Sequence, residues 1–230
     1  MFRQFKKWLL NKVFLPTTFQ WETINTKKND ADFICPQAFG RNTHKDKNIG
    51  EIVGHTQSHF KDDIKTFKWL QNDWFDPGHP NTLLGSRALV LAKEYQKPII
   101  GQWEVMYCMY HIDPAWYIEH QEHLIVIWPI PDDEGLSSFD VFVRAHNIGI
   151  KKRLRKPLLV AHPEHIQRCF FIAQHLFGFV VVDDEYKNIT DNTPWFDKKS
   201  VQPWTRGPKR WLYYEILARM FYRFFGLDLM

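Results

Sequence analysis

Five short apolar runs punctuate the chain: "ADFICPQAF" (31–39), "PII" (98–100), "LIVIW" (124–128), "PLLVA" (157–161) and "FVVV" (179–182). None alternates apolar with polar positions, and continuous short runs are what strands covered on both faces look like. Between them the period changes. "TLLGSRALVLAKEYQ" (82–96) sets Leu84, Ala88, Leu91, Ala92 and Tyr95 on one helical stripe, and "SFDVFVRAHNIGIKKRL" (138–154) and "PEHIQRCFFIAQHLF" (163–177) repeat the habit. In the last of these, Pro163 stands where a first helical residue tolerates proline. Strands alternating with helices predict β-α-β units. The expected fold is α/β, a Rossmann-like three-layer sandwich with a mostly parallel five-stranded sheet and helices on both faces.

Three stretches depart from that rhythm. Residues 41–81 form a long polar insertion in which "TQSHFKDDIKTFKWLQND" adds a helix, and long loops are often lids or binding elements. Residues 183–208 read as an irregular aromatic loop before a final helix, "KRWLYYEILARMFYRFFG" (209–226). Aromatic and basic residues alternate around that helix, so part of it is exposed or docked on something apolar. Residues 1–30 hold an amphipathic helix and linker ahead of a single domain, 31–230. Phe2, Phe5, Trp8, Leu9 and Val13 share one stripe there, beside Arg3, Lys6, Lys7 and Lys12. Two readings stand for it: a helix docked on its own domain, or peripheral contact with a bilayer interface through residues 2–13. Its apolar part is too short and interrupted for a signal peptide, and no run of apolar residues is long enough to span a bilayer.

Composition narrows the function classes. The 230 residues suit one domain with a sizeable core, and a net charge of +4, much of it in "KKRLRK" (151–156), falls short of the basic footprint of a nucleic-acid binder. Cys35, Cys108 and Cys169 are odd in number, far apart and set among apolar neighbours. They read as reduced core thiols of a cytoplasmic protein, whose attachment to the inner membrane, if any, is peripheral.

In an open parallel sheet, ligands bind beyond the carboxyl ends of the strands. That rule gathers Gln37, Gly40, Arg41 and Asn42 after strand one, "GQWE" (101–104) after strand two, "PIPDDEGLSS" (129–138) after strand three and "HPEHIQR" (162–168) after strand four. "HQEH" (120–123) shares the His-x-x-His spacing but precedes strand three, so it falls at the opposite end. On the rim, the helix after strand four aims free N–H groups at an anion, Arg168 adds a planar donor fork, and His165 is a proton carrier or donor. Each residue also has a plainer role. His162 caps the strand while His165 and Arg168 pair with local carboxylates. Glu104 and Gln102 serve the start of their own helix, and Ser137 and Ser138 are good N-caps. A metal held by His162 and His165 with Asp132 or Glu104 lacks a third ligand of diagnostic spacing. No Gly-x-Ser-x-Gly elbow, Walker loop or dinucleotide fingerprint is present.

Taken in order, these segments resemble the YdcF/SanA/ElyC-like bacterial conserved domain, from about Ala31 to the C-terminal helix. "LVAHPEHIQRC" is similar to the family's fourth-strand motif, with His165 and Arg168 in the His and Arg places and Ala161 and His162 where a Thr-Ser turn is usual. "PDDEGLSSFDVFVRA" resembles its acidic-and-serine segment through Ser138 and Asp140, and "GSRALVLAKEYQKPII" its first crossover helix, where Ser86 and Arg87 match. The resemblance implies a Rossmann-like domain that binds a small molecule, with links to envelope upkeep. A nucleotide or S-adenosylmethionine is the cofactor class it admits.

Two hypotheses follow. In the first, an enzyme acts on a phosphorylated or nucleotide-like substrate, with His165 as acid/base, Arg168 holding the anion, and Glu104 or Asp133 assisting. In the second, the same rim recognises a ligand without turnover, and "NTPWFDKKSVQPWTR" covers it through Trp195, Trp204 and Arg206; a hydrophobic plug over the sheet edge is the alternative for that loop. A metal-dependent hydrolase built on the His-rich rim is a further alternative.

Overall fold

The apolar runs become strands because helices cover both faces of the sheet, and of its strand residues only Ile125 and Val126, in the edge run 124–127, are half-buried. In chain order, β1 (Phe33–Pro36) leads to the two-residue strands β2 (Asn42–Thr43) and β3 (Phe75–Asp76), with α1 (Asp63–Leu70) between them. Next, α2 (His79–Tyr95) returns the chain to β4 (Ile99–Gln102), and α3 (Trp103–Ile112) and α4 (Pro114–Glu119) lead to β5 (Leu124–Ile127). After it, α5 (Ser138–Lys152) reaches β6 (Pro157–Val160), α6 (Ile166–Phe177) reaches β7 (Val181–Val182), and α7 (Pro208–Phe224) follows. This computed structural model describes residues 27–43, 53, 57, 62–71, 75–130, 136–185 and 195–224. The amphipathic stretch 2–13 and Asp133 lie outside them.

The strands stand in the order β5-β4-β1-β6-β7, and every pairing is parallel. This is the Rossmann order, in which the chain leaves the central strand in one direction and returns to extend the sheet in the other. Period-two alternation then divides the core. Ile34, Ile99, Leu158 and Val160 face a cluster that includes Leu84, Ala88, Val105 and Met109 of α2 and α3. Phe33, Cys35, Ile100 and Leu159 face Val141, Phe142, Cys169 and Ala173 of α5 and α6. The result is a three-layer sandwich. Each fully buried Ile, Leu or Phe contributes about 1.5–3 kcal/mol. The cysteines are free and buried, and burial pushes the Cys35 thiol up to about 12.

Local chemistry sets the ends. Ser137 and Asp140 form a reciprocal capping box at the start of α5, and Gly178, at φ +72°, ends α6. Three boundaries differ from the sequence pattern. Pro163 is not the first residue of a helix: Pro163–His165 make a turn, the His165 and Ile166 amides donate to the His162 carbonyl, and α6 begins at Ile166. The crossover helix α2 begins at His79, so the tail of the insertion belongs to it. Helix α3 shows no stripe because every residue from Trp103 to Tyr110 is buried, and a helix that is apolar all round carries no amphipathic signal. Gly85 lets α2 approach it: a Cβ there would lie 2.7 Å from Cys108 Cβ. No described helix is long and apolar enough to cross a membrane.

Candidate functional site

Beyond the carboxyl ends of β1 and β6, where the chain departs to opposite sides, lies a cleft of about 440 Å³. Each of the four segments expected at the rim contributes to it: Gly40 and Arg41 after β1, Gln102 and Glu104 at the end of β4, Ser137 and Ser138 before α5, and His165 and Arg168 after β6. "HQEH" is elsewhere. His120 and His123 border a separate hollow at the amino ends of β4 and β5, with Pro98 and Leu124.

A line of polar groups runs along one wall. Arg168 Nη2 lies 3.2 Å from His165 Nδ1, and His165 Nε2 lies 2.9 Å from the Ser138 hydroxyl. Arginine carries donors only, so Nδ1 accepts and the imidazole proton sits on Nε2. His165 therefore donates to Ser138, whose own hydroxyl proton is left to point elsewhere. That is the reverse of a nucleophile–base pair. Arg168 is fixed from behind, with Nε 3.1 Å from a carboxylate oxygen of Glu215, which is fully buried, and its guanidinium within 5.5 Å of the Trp211 and Tyr214 rings.

The other wall carries an ion pair. Arg41 Nη1 donates to Glu104 Oε1 at 3.2 Å, and its guanidinium lies over the Trp103 ring. Glu104 is 5 % exposed. Burial pushes its carboxyl up, and the neighbouring Arg41 charge works in the opposite direction. Gln102 accepts from the Ala38 amide, so it fastens the loop after β1.

Gly40 has φ +69°, and a Cβ on it would sit 2.5 Å from Thr205 Oγ1 and 2.9 Å from Ser200 Oγ. Thr205 donates to Ser200, and Ser200 donates to the Arg41 carbonyl. The loop 195–206 is thereby tied to the rim, and its Trp204 lines the cleft, stacked on Tyr214 at 4.9 Å.

Other expected ligand contacts lie away from the cleft. His162 is fully buried: Nδ1 accepts from the Glu164 amide, and Nε2 donates to the Trp195 carbonyl at 2.7 Å. Both nitrogens serve the fold, because the strand end at which His162 stands is covered by Phe39 and by loop 195–206. Gln37 is buried, with its side-chain amide against Cys35 and Pro36. Ser86 and Arg87 sit two turns along α2, below the rim. Ser86 is exposed, and Arg87 makes a bidentate pair with Asp183 at 2.6 and 2.8 Å. Arg206 points back to the Ser200 carbonyl, and Trp195 is core, so of these three expected contacts Trp204 alone lines the cleft, beside Gln202 and Thr205 of the same loop. Ser137 lines the cleft with its hydroxyl committed to the capping box.

Sequence reasoning missed three supporting residues. Asn81, fully buried in the first turn of α2, accepts from the Phe39 amide and donates to the Gly40 carbonyl, which fixes the loop after β1. Glu215 is the lone acid of a basic, aromatic helix, a signal that was there to read. Trp211 packs edge-on against Phe39 and His165. Among the described residues, no three His, Cys, Asp or Glu side chains converge as metal ligands. No family model, curated protein or solved structure matches the chain.

Proposed function

We propose that this cleft binds a small phosphorylated or nucleotide-like anion at the carboxyl edge of the sheet. The observation that carries the reading is the line Glu215–Arg168–His165–Ser138 along one wall. It ends in a hydroxyl whose lone pair is already taken by His165, so its proton is available to an acceptor in the cleft. A guanidinium held beside it on a preset plane suits a phosphate or carboxylate. The cleft volume lies within the range of small-molecule sites. Where turnover accompanies binding, a neutral His165 cannot give up its only proton without forming an imidazolate, so its part is to orient the Ser138 hydroxyl toward the reacting group. Binding without turnover uses the same contacts. The YdcF/SanA/ElyC-like resemblance, carried by His165 and Arg168, adds envelope metabolism as the setting and S-adenosylmethionine as an alternative ligand.

A thermal-shift panel of inorganic phosphate, nucleotides, sugar phosphates and S-adenosylmethionine tests the reading. A ligand at 100-fold over its Kd adds about 2.7 kcal/mol, and His165→Gln diminishes the shift. If no compound moves the wild-type transition, and His165→Gln melts as the wild type does under every one, the reading is overturned. Product formation separates an enzyme from a binding domain.

A further inference from the structure

The two walls of the cleft differ in what they lack. The Ser138 side carries donor groups, the Arg168 guanidinium and the Ser138 hydroxyl proton that His165 leaves over. On the other side Glu104 Oε2 and Arg41 Nε are buried with no hydrogen-bond partner, although their residues pair through Oε1 and Nη1. Glu104 is the only carboxylate among the described residues that line the cleft, whose basic residues are Arg41, His165 and Arg168. The Gln102 amide and the Glu104 backbone N–H favour the charged carboxylate but make no well-aligned bond to Oε2, so this buried oxygen keeps much of its desolvation cost. An anion does not relieve it. A group that both donates and accepts does, and a hydroxyl is the smallest such group.

We infer that the ligand is a hydroxyl-bearing organophosphate, whose hydroxyls donate to Glu104 Oε2 and accept from Arg41 Nε while its phosphate meets Ser138 and Arg168. The inference rests on the anion reading above and narrows it. A polyol or sugar phosphate fits both walls, whereas a bare phosphate or an alkyl phosphate fits one. Trp204, stacked on Tyr214 beside the cleft, offers an apolar face to the carbon skeleton between the two polar ends. Recognition of this kind is selective, because the analogue without the hydroxyl strands both buried atoms.

Isothermal titration of the full chain with inorganic phosphate, n-propyl phosphate and sn-glycerol 3-phosphate decides the matter. The two esters share a three-carbon chain and differ in their hydroxyls. Glycerol 3-phosphate is expected to bind about tenfold or more tightly than n-propyl phosphate. In Glu104→Gln the ratio of the two affinities falls to within about threefold, and because the loss of a negative charge acts on both esters alike, that ratio is the readout. Equal affinity for the two esters in the wild type, or an advantage that survives Glu104→Gln, overturns the hydroxyl inference and leaves the anion site standing. Silence from all three probes overturns both. Thermal melting of unliganded Glu104→Gln checks its fold, and should it fail, the wild-type comparison of the esters still decides.

Discussion

His162 stacks face to face on Phe39, with ring centroids 3.6 Å apart and planes 17° apart. The pair joins the loop after β1 to the end of β6, so the first histidine of "HPEH" is a rivet between the two central strands and the second faces the cleft. His162→Ala removes the stack and both ring hydrogen bonds, and a destabilisation of about 2–4 kcal/mol is expected. Urea unfolding measures it, while phosphate affinity of the folded protein stays as in the wild type.

His165→Gln shows the opposite balance. Its proton no longer orients the Ser138 hydroxyl, so phosphate affinity falls by about tenfold, with a smaller shift in the urea midpoint than His162→Ala gives. Calorimetric titration beside the unfolding curve reads both quantities. A midpoint loss equal to that of His162→Ala with unchanged affinity would refute the division of labour.

Gly40→Ala tests the tie between the rim and loop 195–206. A φ of +69° costs an alanine about 1–3 kcal/mol, and the new Cβ meets the Thr205 and Ser200 hydroxyls besides. The expected outcome is a lowered urea midpoint together with faster proteolysis in 195–206. Full retention of both would mean that the hydroxyl pair gives way at no cost.

Asp183 makes stability depend on pH. Burial opposes its charge, but hydrogen bonds from Arg87 and Lys28 outweigh that and hold its carboxyl below the usual carboxylate range. A lowered folded-state value means stability that is present above the unfolded value of about 3.9 and lost as pH falls through the folded one. Asp183→Asn therefore costs about 1.5–3 kcal/mol near neutrality, where Arg87 and Lys28 keep only the exposed Glu185 carboxylate as a charged partner. The gap between mutant and wild type narrows below about pH 4. Urea midpoints from pH 3 to 8 follow it, and a gap that stays constant over that range would contradict the ion-pair origin.

The sheet was legible because burial on both faces leaves no room for polar residues, and "LIVIW" and "PLLVA" say so directly. Helix α3 was not, because "WEVMYCMYHI" is buried on every side and so has no period. The two-residue strands β2 and β3 are too short to leave a pattern. At the rim, topology did what spacing could not: it separated "HPEH" from "HQEH" and brought Arg41, Glu104, Ser138, His165 and Arg168 together. Ser86 and Arg87 came from the family resemblance instead, and they lie two turns into a helix that starts at His79, away from the cleft. Topology failed for Glu215 because a partner from the last helix leaves no local trace beside Arg168.

The parallel pairing of Phe33–Pro36 with Pro157–Val160 has a kinetic consequence. Contacts between segments so distant in sequence form late and slowly, and until they form, Arg41 and His165 belong to separate pieces of chain. The site is thus a property of the finished fold, inherited by no fragment that stops short of β6. A molecule that seats there acts on the folding equilibrium as a whole, and it draws the completed chain away from whatever half-assembled states precede it.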